Sequence, residues 1–344
     1  MTLLSSDLQV FLSATVSADP ATNGGRLGGS PIALSAKNNA FPDVNSALLA
    51  SGGTRWRKLF LANLNAQNLA GQAVMVVMDR PTAYGDYALF RPGTQDDVES
   101  QIAGDIHCCA VLAANAGAGA GTIAVLLEDA AQAAAFVAGR EILISSRASF
   151  ENTASTTGAE ELRKISGSPT VAGLNLTITL DQPLAGSYTV VAGTRVSTVY
   201  RAADLSPALS DWAESGTGDY DEGNYPVRLT NLGTIRQKWT IQYTSAQAYS
   251  LSGDTLGLVG TFQTDQDAAP ANPADHASGQ PYLRIPAGGH GSGHVSGDKI
   301  TFATSPAACP LWVKSVIPPG TTDFGPSEIP ICWVFCGRFL LIST

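Results

Sequence analysis

Most of the chemistry open to this 344-residue chain would rest on four histidines, five cysteines and one acidic, tyrosine-flanked run. His290 and His294 lie at i and i+4 in "GGHGSGHVSGD". Two imidazoles so spaced, completed by Asp298 or by a neighbouring copy, could hold zinc or iron. The loop is rich in glycine and no helix sets the spacing, so a solvated turn is the competing reading and no metal is assigned. In "GTGDYDEGNY" (216–225), Asp219, Asp221 and Glu222 stand beside Tyr220 and Tyr225. Carboxylates about 5–10 Å apart beside aromatic rings suit a glycosidase cleft. The same residues could grip a sugar, hold Ca²⁺ through loop oxygens, or form a plain loop tip. They are taken as a ligand or interface loop.

The remaining candidates are weaker. "DIHCC" (105–109) sets His107 beside Cys108 and Cys109, but a thiol nucleophile needs its imidazole within hydrogen-bond reach, usually from elsewhere in the fold. On a strand Cys109 would share a face with His107 and Cys108 would not. The run containing Gly117, Gly119 and Gly121 leads into "TIAVLL", a strand, whereas a dinucleotide fingerprint requires a helix there. No G-x-S-x-G elbow and no H-E-x-x-H helix occurs. Catalytic residues and cofactors are therefore both assigned as none, and an enzyme is not expected. Cys332 and Cys336 would share a strand face about 13 Å apart, too far to bridge. Reduced, buried thiols and synthesis in a reducing cytoplasm are the expectation.

Composition narrows the classes further. Charged residues make up 14% of the chain and apolar residues 44%. An ordinary domain carries about 25% charged residues. Such a surface suits a protein covered by neighbouring subunits, because charge is depleted at interface cores. The net charge of −9 argues against nucleic-acid binding. No apolar run approaches the roughly 18 residues of a membrane span. The opening "MTLLSSDLQVFLSATV" alternates like a strand and lacks the basic start of a secretory signal. Arg55, Arg57 and Lys58 read as a solvated strand face.

The elements that must position these residues are short strands broken by Gly, Pro, Asn and Asp. "WRKLFLANLN" (56–65), "AVMVVMD" (73–79), "LNLTITL" (174–180) and "IRQKWTIQYTS" (235–245) are the clearest. Leu174, Leu176, Ile178 and Leu180 are expected inward, as are Trp239, Ile241 and Tyr243. "ICWVFCGRFLLIST" reads as a final strand. "DAAQAAAFVAG" (129–139) is the best helix, with Asp129 as N-cap and Gly139 as stop. A polar stretch over 151–170 reads as a join. The expectation is a mainly β chain with long loops and few short helices. Two sandwich- or barrel-like domains would cover 1–150 and 171–344.

Two stretches carry a resemblance. In 36–79, "NNAFPDV" (Asn38–Val44) precedes the strand "RKLFLAN" (Arg57–Asn63). In 279–320, "PYLRIP" leads through the Gly-rich loop to a strand and then to "PLWV". This phrasing resembles the tail-tip, or baseplate, structural proteins of long-tailed, Mu-like transposable bacteriophages. Where that pattern has aromatic residues in the Gly-rich loop, this chain has His290 and His294. The resemblance implies a virion subunit, assembled in the host cytoplasm and packed symmetrically around the tail axis. It would join tail tube or hub to receptor-binding parts, with other copies of itself and neighbouring tail proteins as partners. The alternative is a host-polysaccharide-binding module using exposed rings such as Tyr220, Tyr225 or Tyr249, with a glycan hydrolase behind it.

Overall fold

The computed structural model describes residues 3–33, 39–82, 85–147, 158–321, 331–335 and 338–342. The chain is mainly β, as the alternating patterns require, and among the described residues the strands form four antiparallel sheets, none closed into a barrel. No helix among the described residues is long and apolar enough to cross a membrane.

The first sheet has five strands in the order Gly24–Pro31, Leu8–Thr15, Gly53–Asn63, Ala308–Ile317, Tyr87–Pro92. The late strand Ala308–Ile317 pairs with Gly53–Asn63 over its whole length, from Ala308 opposite Ala62 to Ile317 opposite Gly53. The second sheet has seven strands: Thr170–Ala172, Asn175–Thr179, Thr122–Leu126, Cys109–Leu112, Arg195–Thr198, Glu141–Ser145 and Glu160–Lys164. A four-stranded sheet joins Tyr200–Arg201, Met75–Met78, Ile331–Phe335 and Arg338–Ile342. It is tied to the seven-stranded one by Ser197, whose hydroxyl donates to the Met78 carbonyl at 2.6 Å, and by a buried Arg195–Asp79 pair at 2.8 Å. These three sheets share one apolar core, which includes Leu59, Val76, Phe90, Val125, Ile144 and Leu311.

The fourth sheet stands on its own core. Its order is Ala208–Ser215, Lys299–Ser305, Gln237–Ser245, Ala248–Gly253, Gly257–Gln263. Trp239, Ile241 and Tyr243 point inward as expected, with Lys238, Gln242 and Thr244 exposed, so period-two burial holds along the central strand. Tyr220, Tyr249, Leu251, Ile285, Ile300 and Phe302 complete that core. The outermost strands of the segment meet each other, Ala208 pairing with Ser305. Residues 208–305 therefore leave the chain after Tyr200–Arg201 of the four-stranded sheet and rejoin it before Ala308–Ile317 of the first sheet, at one place.

Hydrogen bonding crosses the expected 151–170 join. Glu160–Lys164 pairs with Glu141–Ser145, and Asn175–Thr179 pairs with Thr122–Leu126. Residues 151–157 lie outside the described part. Four local expectations are corrected. The helix at 129–139 is a short 3₁₀ turn, Ala130–Ala135, although Asp129 does cap it by accepting from the Ala131 amide at 2.8 Å. Leu174 is exposed because it sits in the turn before the strand, while Leu176, Ile178 and Leu180 are buried. The C-terminal stretch is a hairpin, Ile331–Phe335 against Arg338–Ile342, with Cys336 outside the described residues. Lys58 is fully buried: it pairs with Asp97 at 2.6 Å and donates to the Gly25 and Asp97 carbonyls. A charge removed from water needs such a partner.

Candidate functional site

The two candidate loops of the fourth sheet meet. Tyr220 and His290 form an antiparallel bridge, and the Asp221 amide donates to the Gly289 carbonyl at 2.9 Å. Glycine makes this approach possible. A Cβ on Gly218 would land on the His294 ring, and one on Gly289 would land on the Tyr220 ring. The contact is fastened by Asp298. Its carboxylate accepts from the amides of Thr217 at 3.2 Å, Gly218 at 3.0 Å and Val295 at 3.1 Å. The Gly218 and Val295 bonds hold the Asp298 carboxyl below the usual carboxylate range.

Around that fastening lies a buried cluster of rings. His294 stacks on Tyr243 with centroids 3.8 Å apart, and Tyr249 lies 4.7 Å from His290. His290 Nδ1 and the Tyr243 hydroxyl share a hydrogen bond at 2.7 Å. Burial, with His294 next, pushes the His290 imidazole down to about 4, and burial raises the Tyr220, Tyr243 and Tyr249 phenols. The Tyr220 hydroxyl donates to the carbonyls of Tyr225 and Pro286. Glu214 accepts from the Tyr220 amide at 3.0 Å and from the Trp212 indole at 2.8 Å.

This geometry sorts the candidate residues. His290 and His294 do come together, with ring centroids 6.5 Å apart. No group of three His, Cys, Asp or Glu able to hold a metal ion occurs among the described residues. Tyr220 and Tyr249, expected as exposed rings for a sugar, are both fully buried. Tyr225 is 42% exposed. Asp219, Asp221 and Glu222 lie in solvent, and Asp221 accepts from the Asn224 amide and side chain, closing its own turn. Trp212, Glu214 and Tyr243 complete the cluster, and none of the three was among the candidate site residues. The alternation of 235–245 marks Tyr243 as inward, but nothing local points to the other two.

The remaining candidates are likewise absorbed into structure. His107 stacks on Phe90 at 5.0 Å, and burial followed by the nearby Arg140 pushes it down to about 4. The Cys108 thiol faces the Gln132 carbonyl at 3.8 Å and the Cys109 thiol faces that of Ala110. Burial lifts Cys108 far above the ordinary thiol value and Cys109 and Cys309 to about 12, the opposite of an activated nucleophile. The run at 113–121 joins two strands of one sheet, with Ala116 bridging Tyr188.

One half-buried acid went unnoticed in the sequence. Glu128 is pushed up to about 7 by burial, while its oxygens accept from the Thr82 amide and hydroxyl and from Gln132. Its only local sign is a carboxylate directly after the apolar run "TIAVLL". Comparison with models of known protein families gives no match, and neither does comparison with curated protein sequences.

Proposed function

We propose that this chain is a non-catalytic structural subunit of a bacteriophage tail tip or baseplate. The observation that carries the reading is how the chemistry-bearing side chains are used. His290, Asp298, Glu214 and Tyr220 all tie loops together by hydrogen bonds, His294 stacks on Tyr243, and the thiols of Cys108, Cys109 and Cys309 are buried. What the molecule offers outward is open sheet edges and a surface poor in charge. An open edge presents unpaired N–H and C=O groups to another strand, and an assembly can pair or cover them. The resemblance of 36–79 and 279–320 to tail-tip proteins points the same way and supports the tail tip as the place of assembly. The test is immunogold electron microscopy of virions with antibody to this chain. Label at the distal end of the tail is expected. Virions without label, beside free protein in the lysate, would refute the reading.

A second reading has one observation in its favour: Tyr225 is exposed beside Asp221 and Asn224, a ring and an amide as a sugar-binding loop would present them. Glycan arrays probed with the full chain decide it. Binding lost in Tyr225→Ala would support a host-polysaccharide module, and silence on all surface glycans would end it.

A further inference from the structure

The two edges of the seven-stranded sheet are built differently. One edge strand, Glu160–Lys164, reads EELRK, with Glu161 paired to Arg163 and Glu160 near Arg147. Charges on an edge are the ordinary guard against another strand adding on. The opposite edge strand, Thr170–Ala172, reads TVA and is exposed throughout, with no charge on it.

The neutrality extends well beyond that strand. No Asp, Glu, Lys, Arg or His occurs in 113–127, in 165–180 or in 182–194. Chain pairing gathers these stretches at one end of the sheet. The register sets Thr177 between Thr170 and Ala124, and places Asn175 between Ala172 and Leu126. Thr179 lies opposite Thr122. Partners across an antiparallel ladder share a face, so these residues form a single outward face, whereas Leu176 and Ile178 point into the core. The other half of the sheet is covered, since Arg195 and Ser197 bond to Asp79 and Met78 of the four-stranded sheet. Leu126 is an exposed apolar side chain on this face; Val171, opposite Leu176, is exposed at the edge itself, Leu174 in the turn beside it, and Val190 and the 99% exposed Val191 on the adjoining loop.

We propose that this uncharged face, with the short uncharged edge strand that borders it among the described residues, is where a second copy of the same chain docks. The inference deepens the assembly reading and rests on it for the presence of self-association. Charge selects the occupant. The chain carries a net −9, so two copies repel over most orientations. A face free of charge is where identical chains meet without setting like charges against each other. A basic partner would be drawn to the acidic surfaces instead. An antiparallel edge is also self-complementary under a twofold axis, since each copy offers the same donors and acceptors to the other.

Sedimentation velocity of the full chain, wild type and Thr177→Lys, tests this. Wild type should sediment as a multiple of the chain mass, and Thr177→Lys should fall to a single chain that still melts cooperatively, at a temperature no longer dependent on protein concentration. Thr170→Lys, on the exposed edge strand, is the second variant should the first fail to fold. Leu258→Lys, on the fourth sheet, should keep the wild-type mass. A wild type that stays a single chain at every concentration overturns the inference, as do folded lysine variants with wild-type mass. An oligomer dispersed by Thr177→Lys whose antibody finds no virion label would instead uphold this surface and refute the tail-tip reading.

Discussion

At the scale of single residues, His107 and His290 set the response to acid. Burial pushes both down to about 4, against an ordinary histidine value of 6.5. In the folded chain they stay neutral at a pH where the unfolded chain already takes up protons. Their contribution is thus complete above the ordinary value and is lost as pH falls through the window toward 4. Glu128 works the other way, because its raised value stabilises the fold below the ordinary carboxyl range and that gain is lost as pH rises to about 7. Two imidazoles outweigh one carboxyl where the windows overlap, so urea midpoints should fall on acidification across that window. His107→Phe keeps a ring against Phe90 and should flatten the fall; an unaltered slope would contradict the assignment. Gly218→Ala drives a methyl into His294 and should cost about 1–3 kcal/mol, the usual range for overpacking. Its measure is urea denaturation beside Gly117→Ala, where the added Cβ meets nothing.

At the scale of elements, the strand Gly53–Asn63 is held to its surroundings by Lys58. The ammonium pairs with Asp97, whose other oxygen accepts from the Trp312 indole at 2.8 Å. Asp97→Ala leaves a buried cation and an orphaned indole N–H, and should cost about 3–5 kcal/mol, whereas Lys58→Met should cost less, because the Asp97 carboxylate it leaves behind still accepts from the Trp312 indole and the Thr94 amide. Equal losses in urea denaturation would argue against a charge-based clamp. Much of each strand was legible beforehand, because period-two alternation at Trp239, Ile241 and Tyr243 is a local property. Leu174 was misread because the same alternation runs on into a turn. Lys58 looked solvated because its carboxylate lies at Asp97, far along the chain. The acidic and histidine loops were each visible in sequence, but their meeting depends on the sheet between them. The glycines that permit it, Gly218 and Gly289, look like any others in such loops.

At the scale of the whole molecule, residues 208–305 have their own core and leave and rejoin the chain at paired residues. A fragment of 206–306 should therefore fold by itself, with a cooperative melt and a strong near-ultraviolet signal from its packed rings. Residues 1–150 alone should not, since they lack the strand that completes the first sheet; a cooperative melt of that piece would refute the topology's energetic weight. The placement of Ala308–Ile317 also governs how the protein is made. It enters between Gly53–Asn63 and Tyr87–Pro92, about 200 residues after the second of them has been synthesised. At about 5–20 residues per second, a ribosome leaves those two apolar strands without their common neighbour for roughly 10–40 s. During that interval each nascent chain is open to mispairing with others on the same message. Yield should accordingly depend on how crowded and how warm the translating cell is, more than on how stable the finished protein proves to be.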